Sequence, residues 1–578
     1  MSTTLQQFVP SRDAMAGIEA APAPEVQLAS GDEAVAMAAL DAGAAFGTGY
    51  PGTPSTEILE NLSALGGHAQ WAPNEKVALE VGLGAAFAGA RVLVTMKHVG
   101  LNVASDPLFT AAYTGVTGGL VVVVADDPGM SSSQNEQDSR HYALAAGVPM
   151  IEPSDSQDAY DFGRFAFDFS ERWHLPVLLR MTTRVCHGKS LMTRRPAQKA
   201  ASAPHFVRDI PGRVMVPGYA RPAHRKLREK LSAIARWAEE SELNTIRGGP
   251  SALGIITSGV SAIHAAEAAP EAKILRLGTV WPLPLEKIRS FAASFERCVV
   301  VEEGDPFFAD AIRAAGIAVE SKPEMFRFGE LHVGRVRRIL ARDTSPEPVP
   351  PRGKPPELCQ GCPYHPAFDV LKKLDCIVAG DIGCYTLGVM PPYQAIDTCV
   401  AMGASIGVGL GLRHVLPEAQ ARRVVSVIGD STFIHSGLTG IVEMVYNPPK
   451  TGHVVLILDN GITAMTGAQE NPATGRTLEH DPTGKVSIEG FCRALGVANV
   501  DIIDQVKNSE GFEKLLRKRL ASSELSVVIA RSVCILAAVN IKTWDRAGQE
   551  KLARRALEPG PQAGGSPCDA CPSHNSPI

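Results

Sequence analysis

Short apolar runs recur along this chain, separated by polar or glycine-rich breaks and by segments of helix length. They fall at residues 91–97, 119–126 and 175–181, then at 253–259, 272–277 and 297–303, and finally at 376–379, 424–428, 454–458 and 526–530. Each is rich in Val, Ile and Leu without strict alternation, the pattern of strands buried on both faces of a parallel sheet. Helices are predicted between them. One runs from Ser30 or Asp32 to a stop at Gly43, and another opens on Asn74 as N-cap, so that Glu75 starts it and Glu80 lies inside it. That second helix and residues 397–411 are rich in Gly and Ala, which lowers helix propensity and marks close approach to a backbone or a flat ligand. The fold class expected is α/β, multidomain, with two related parallel-sheet modules.

Composition divides the chain further. Residues 1–25 are Ala- and Pro-rich and are expected to form a mobile arm; residues 26–200 make a first α/β domain and residues 201–248 a basic, then helical connector. Residues 249–344 form a smaller α/β domain, residues 345–356 a Pro-rich linker, residues 357–542 a third domain, and residues 543–578 a tail. The chain has 578 residues and a net charge of −5, so no basic footprint for nucleic acid is present. No apolar run reaches membrane-spanning length, and the first residues lack a basic region followed by an apolar core. Eleven cysteines, an odd number in a long chain, suit a reducing cytoplasm better than a disulfide framework.

The chemistry gathers at residues 424–466. Two apolar runs there end in Gly429-Asp430 and Asp459-Asn460, with one helix-length segment between them. A strand–helix–strand unit of this kind puts both strand ends at one edge of a parallel sheet, so Asp430 and Asn460 are expected to be neighbours. A carboxylate, an amide oxygen and the carbonyl of Ile462 make an incomplete oxygen shell suited to Mg2+ with phosphate completing it. Gly429 would let backbone approach that phosphate, and the helix after Ser431 would aim N–H groups at it. Ordinary turns at strand ends read equally well on these residues alone. Upstream, Gly/Pro-rich residues 46–57 make a strand-to-helix loop, and residues 126–142 a long polar loop in which Arg140 and His141 are candidates for a carboxylate clamp. Cys359 and Cys362 form a Cys-x-x-Cys, while Cys384 and Cys534 each follow a predicted strand. Four thiolates at one sheet edge suit a [4Fe–4S] cluster or Zn2+; the alternative is that Cys384 and Cys534 are buried apolar cysteines.

Asp430 followed thirty positions later by Asn460 resembles the diphosphate signature of thiamine-diphosphate enzymes, with Ser431 where a Gly is usual. Together with Gly-Tyr-Pro-Gly-Thr-Pro-Ser-Thr-Glu at 49–57, the Glu75 helix, Met-Lys-His-Val-Gly-Leu-Asn at 96–102, Cys-Gln-Gly-Cys-Pro at 359–363, Gly-Asp-Ile-Gly-Cys-Tyr-Thr-Leu-Gly at 380–388 and Asp-Asn-Gly-Ile-Thr-Ala-Met-Thr-Gly at 459–467, the chain resembles the alpha subunits of indolepyruvate ferredoxin oxidoreductases. The resemblance implies a pyrimidine-binding domain at 26–200 and a diphosphate-binding domain at 357–542, flanking a transketolase C-terminal-like domain at 249–344 with a role in assembly.

The resemblance also implies an activity: oxidative decarboxylation of an arylpyruvate, such as indolepyruvate or phenylpyruvate, with coenzyme A to an aryl-acyl-CoA and CO2. Glu75, with Glu80 as fallback, would hydrogen-bond the thiamine pyrimidine, and Thr53 would meet the substrate. Gly383, Gly429 and Ser431 would line the diphosphate; Asp430, Asn460 and the Ile462 carbonyl would hold Mg2+; Cys359, Cys362, Cys384 and Cys534 would hold one [4Fe–4S] cluster. The partner implied is a smaller beta subunit in an α2β2 assembly, with ferredoxin or another acceptor taking the electrons, and the thiamine site could be shared between two copies. The family's C-terminal ferredoxin-like module is expected to be missing, leaving Cys568 and Cys571 unligated. A non-oxidative thiamine-dependent decarboxylase or carboligase, or a non-catalytic assembly subunit, are the rival readings.

Overall fold

The structure, a computed structural model, describes residues 25–198, 203–348 and 353–557. The expected N-terminal arm, Cys568 and Cys571 lie outside them. Two compact units result. One is made of Gly52–Ala69, Leu79–Ser345 and the described part of Met1–Thr48; the other of Gly49–Pro51, Gln70–Ala78 and the described part of Pro346–Ile578. Two short segments from the first hundred residues thus belong to the second unit.

The first unit holds most of a seven-stranded sheet, in the order Thr279–Trp281, Met150–Ile151, Val177–Thr182, Leu120–Asp126, Val92–Lys97, Phe46–Gly49 and Ala69–Trp71. Its central strands Val92–Lys97, Leu120–Asp126 and Val177–Thr182 are parallel and buried at every position, as their continuous apolar runs predict. The helix Gly31–Asp41 starts at Ser30 through a full capping box with Glu33. A four-stranded sheet follows the order Arg297–Val301, Leu253–Thr257, Lys273–Arg276 and Thr245–Gly248. Two features had no signal in the apolar pattern. Glu25–Ser30 pairs antiparallel with Lys189–Arg194, a strand with charged ends and little burial, and Thr279–Trp281 joins the seven-stranded sheet antiparallel to Met150–Ile151.

The second unit is built on six parallel strands in the order Thr398–Cys399, Ile377–Gly380, Val424–Gly429, His453–Asp459, Leu525–Arg531 and Asn499–Ile503. Side chains alternate between two cores. Val425, Val427, Val454, Leu456 and Leu458 face one, while Ile428, Val455 and Ile457 face the other. The small-residue helix expected at 397–411 is displaced: Thr398–Cys399 is an edge strand, and the helix runs over Ala404–Val415 after Gly403, whose φ of 83° only a residue without Cβ adopts readily. The chain leaves Ile377–Gly380 toward one edge of the sheet and leaves Val424–Gly429 toward the other. The crevice between the carboxyl ends of those two strands is therefore the topological switch point, where open α/β sheets bind ligands.

Arg140 is corrected by the structure. The expected clamp on a substrate carboxylate is instead a buried structural ion-pair centre, 1% exposed. Its guanidinium donates to Asp138 and Glu302 at 2.6 Å each and to the carbonyls of Glu303 and Asp305, so no donor faces a ligand. The sequence showed an arginine in a polar loop; the acids that claim it are 162 positions downstream or two positions upstream. His141 is exposed and meets the Phe307 ring edge-on. Removing one partner of such a buried pair leaves uncompensated charge, so Arg140→Ala is expected to cost about 3–5 kcal/mol in denaturant unfolding. A variant of unchanged stability that only raised the KM for a 2-oxoacid would restore the clamp.

Candidate active site

Three loops at the switch point meet in one pocket of the second unit. Ile382, Gly383, Cys384 and Tyr385 follow the first strand, Gly429 to Thr432 the second, and Asn460 and Ile462 to Thr466 the third; Tyr50, Pro51, Tyr364 and Met402 complete the lining. Tyr385 is wedged between the first two loops, since a Cβ on Gly383 or Gly429 would lie 2.5 or 2.6 Å from its ring. Gly429 has an ordinary φ of −84°, and the absence of a side chain there leaves room for the Tyr385 ring.

Asp430 is 3% exposed and accepts from the Gly461 backbone N–H at 3.1 Å. Burial, with Asp459 close by, pushes its carboxyl well above the usual range. Asp459 is held by Arg531 at 2.7 Å, whereas among the described residues Asp430 has no cationic side chain on it. Asn460 Oδ1 accepts from the Ile462 N–H at 3.1 Å, around Gly461 at a φ of 73°. A buried carboxylate without a counter-cation, an amide oxygen and backbone carbonyls are a donor set that fits a hard divalent cation, whose charge would remove the penalty on ionised Asp430.

Ser431, the departure from the usual Gly, is satisfied where it sits. Its hydroxyl bonds Tyr50 Oη at 2.8 Å and accepts from Thr463 Oγ1 at 2.8 Å, and Asn471 donates to Thr463 in turn. This network fastens Tyr50 to the second and third of these loops.

Glu75 is 4% exposed at the start of its helix, which Asn74 caps by accepting from the Val77 N–H at 2.9 Å. Its carboxylate pairs with His435 Nε2 at 2.8 Å. The other ring nitrogen of His435 bonds Ser436 Oγ at 2.5 Å, the Tyr50 ring packs edge-on at 4.7 Å, and Asn74 donates to the His435 carbonyl. Glu75 and Asp430 therefore belong to one compact unit. Glu80 is exposed on the same helix, and Thr53 is half-buried, its carbonyl accepting from Ser132 at 3.4 Å.

His435, Tyr50 and Thr463 were missed. His435 lies in a π-helical segment, Phe433–Gly437, and such a bulge rotates a side chain off the face that a regular helix assigns it. Tyr50 was visible only as part of a turn.

Cys359, Cys362, Cys384 and Cys534 come together in the second unit. Burial first, then repulsion from the other sulfurs of the set, raises the Cys362 and Cys384 thiols to about 11. Cys384 lines the pocket beside Asp430, and the Cys534 N–H donates to the Asn460 carbonyl at 3.1 Å. The four sulfurs do not form a group closed to within 4.8 Å. Tetrahedral Zn2+ would need them about 3.8 Å apart, from Zn–S bonds of about 2.3 Å. A cubane cluster, which spreads its thiolates over four iron corners, does not require that closeness.

Comparison with known proteins gives these residues a context. Residues 37–207 match the family described as pyruvate flavodoxin/ferredoxin oxidoreductase, thiamine diP-binding, and residues 381–530 match the C-terminal TPP-binding domain of thiamine pyrophosphate enzymes. The indolepyruvate oxidoreductase subunit IorA of Archaeoglobus fulgidus is 38% identical over 89% of this chain and 87% of its own length. The subunit of the same name from Pyrococcus abyssi is 38% identical over 90% of this chain and 87% of its own. The 2-oxoglutarate synthase subunit KorA of Methanothermobacter marburgensis is 26% identical over 52% of this chain and 94% of its own. With thiamine-diphosphate-binding domains at both ends and this identity along nearly its whole length, the chain belongs to the family of the indolepyruvate oxidoreductase subunit IorA, within the thiamine-diphosphate-dependent 2-oxoacid oxidoreductases.

Proposed function

We propose that the chain is the catalytic subunit of an enzyme that oxidatively decarboxylates an arylpyruvate, such as indolepyruvate, with coenzyme A, giving an aryl-acyl-CoA, CO2 and two electrons. The observation that carries this reading is that Cys384 lines the same pocket as Asp430 and Asn460, so the cysteine set adjoins the metal-type oxygen donors. A non-oxidative thiamine enzyme has no use for that junction.

Thiamine diphosphate, when bound, supplies the electron sink for loss of CO2 from the 2-oxoacid. Asp430, Asn460 and the Ile462 carbonyl would hold Mg2+, which would neutralise the diphosphate, and the loops bearing Gly383 and Ser431 would flank it. Glu75 would hydrogen-bond the pyrimidine ring and hold the proton shared there. His435 positions Glu75: its Nε2 holds the carboxylate in place, and Tyr50 fixes the imidazole plane from the side. Thr53, on the loop that follows Pro51, is the group assigned to the substrate. Cys359, Cys362, Cys384 and Cys534 would hold one [4Fe–4S] cluster, which would supply one-electron acceptance. A smaller beta subunit completes the assembly as α2β2, and ferredoxin or another low-potential acceptor receives the electrons in the cytoplasm.

Glu75→Gln is expected to lower arylpyruvate turnover by roughly 100-fold or more while leaving thiamine diphosphate affinity within a few-fold, because it removes proton transfer and little contact area. Calorimetric titration and acyl-CoA product assay of the anaerobic complex with its partner subunit separate the two effects; unchanged turnover would return the role to Glu80 or sink the assignment. Asp430→Ala is expected to weaken thiamine diphosphate binding in Mg2+ by at least roughly 100-fold, as loss of a metal ligand does. Mg2+-dependent binding that survived this substitution would contradict the metal assignment.

A further inference from the structure

Away from the pocket, the first unit brings three polar side chains to one point. Asp32 lies in the first turn of the helix Gly31–Asp41, Glu57 in the first turn of Thr56–Ala64, and His187 at the end of Thr183–His187. One donor atom from each lies within 4.8 Å of the others. Glycine makes this possible at the first helix: a Cβ on Gly31 would stand 2.1 Å from the Val185 carbonyl oxygen, so only Gly lets that helix start close onto the turn that carries His187.

Asp32 is the anomaly. It is 1% exposed, and neither of its carboxylate oxygens has a hydrogen-bond partner. The Cys186 thiol and the Glu57 carboxyl are the side chains beside it, and no lysine or arginine pairs with it among the described residues. A helix N-terminus favours a negative charge but gives these oxygens no donor here. Buried polar groups are almost always satisfied, and an orphaned carboxylate aimed at a carboxylate and an imidazole is explained by a cation among the three. Glu57 and His187 have side chains 48% and 44% exposed, which leaves that point open to solvent on one side.

We infer that Asp32, Glu57 and His187 form a site for one first-row divalent cation of the Mn2+ or Zn2+ kind, distinct from the Mg2+ position at Asp430. Two carboxylates and one imidazole give three protein ligands, with water completing the shell. The ion would tie together the ends of three helices of the first unit and neutralise the buried Asp32 carboxylate. Burial, reinforced by Glu57 and Glu33, pushes that carboxyl well above its usual range, and a cation removes the cause.

Mn2+ is the probe of choice, because it prefers carboxylate and imidazole to the thiolates elsewhere in the chain. The full chain, purified without thiamine diphosphate and treated with chelator, is titrated with Mn2+ while the electron paramagnetic resonance of the free ion is followed. The expected result is one tight equivalent per chain, at least roughly 30-fold weaker in Glu57→Gln/His187→Ala and unchanged in Asp430→Ala, since a lost metal ligand costs that order of affinity. Both substituted side chains are about half exposed, so the double variant is expected to fold, and its thermal midpoint should no longer rise on adding Mn2+. Absence of tight Mn2+ binding by the unsubstituted chain would overturn the site and leave a proton shared by Asp32 and Glu57. Equal affinity in the double variant, or loss in Asp430→Ala, would overturn it too.

Discussion

The second unit depends on the parallel pairing of Val424–Gly429 with His453–Asp459. That register sets Gly429 opposite Leu458 and brings the two strand ends out at one level, so Asp430 and Asn460 emerge side by side. Both strands are wholly buried, and their alternating side chains lock them into two cores at once. A slip by one residue would exchange every side chain between those cores and separate the two polar ends. The carboxylate Asp430 is thus carried into a dry position by apolar packing, at a cost in solvation that a bound cation would offset.

Around that edge the chain spends its unusual residues on closeness. Two glycines flank Tyr385, a π-helical segment turns His435 toward Glu75, and Ser431 knots Tyr50 to Thr463. The segments Gly49–Pro51 and Gln70–Ala78 are far from the second unit in sequence yet part of it in space. Ser431, the residue most at odds with the usual diphosphate signature, is thereby explained: its hydroxyl is buried and doubly bonded, which a glycine at that position would not provide. The substitution favours a variant of the loop over loss of the site. The Cys534 to Asn460 backbone bond sets the proposed cysteine site and the oxygen donors on adjoining turns.

How much of this could be read from the chain alone follows from the range of each signal. Buried parallel strands announce themselves by continuous Val/Ile/Leu runs, and the strands at 424–429 and 453–459 were legible to within a residue or two. So was the nearness of Asp430 to Asn460, because strand–helix–strand geometry is nearly obligatory. The strand Glu25–Ser30 was not, since its partner Lys189–Arg194 is charged and exposed and gives no apolar period. Arg140 misled for a related reason: its ion partner Glu302 is fixed by tertiary structure, and nothing local reveals it. His435 escaped because a helical wheel assumes regular helix. Asp32 read from the sequence only as an alternative to Ser30 for the helix start, and its burial is a product of tertiary structure.

The central claim is that a thiamine site and a redox centre share one pocket on this chain. Its most direct test is the anaerobically prepared complex with its partner subunit, assayed for iron and then mixed with indolepyruvate while the electron paramagnetic resonance signal is followed. The account predicts four iron atoms per cluster held by this chain, a reduced-cluster signal that appears with substrate, and loss of both in Cys384→Ala while thiamine diphosphate still binds. Decarboxylation at full rate in a chain that holds no iron would contradict it.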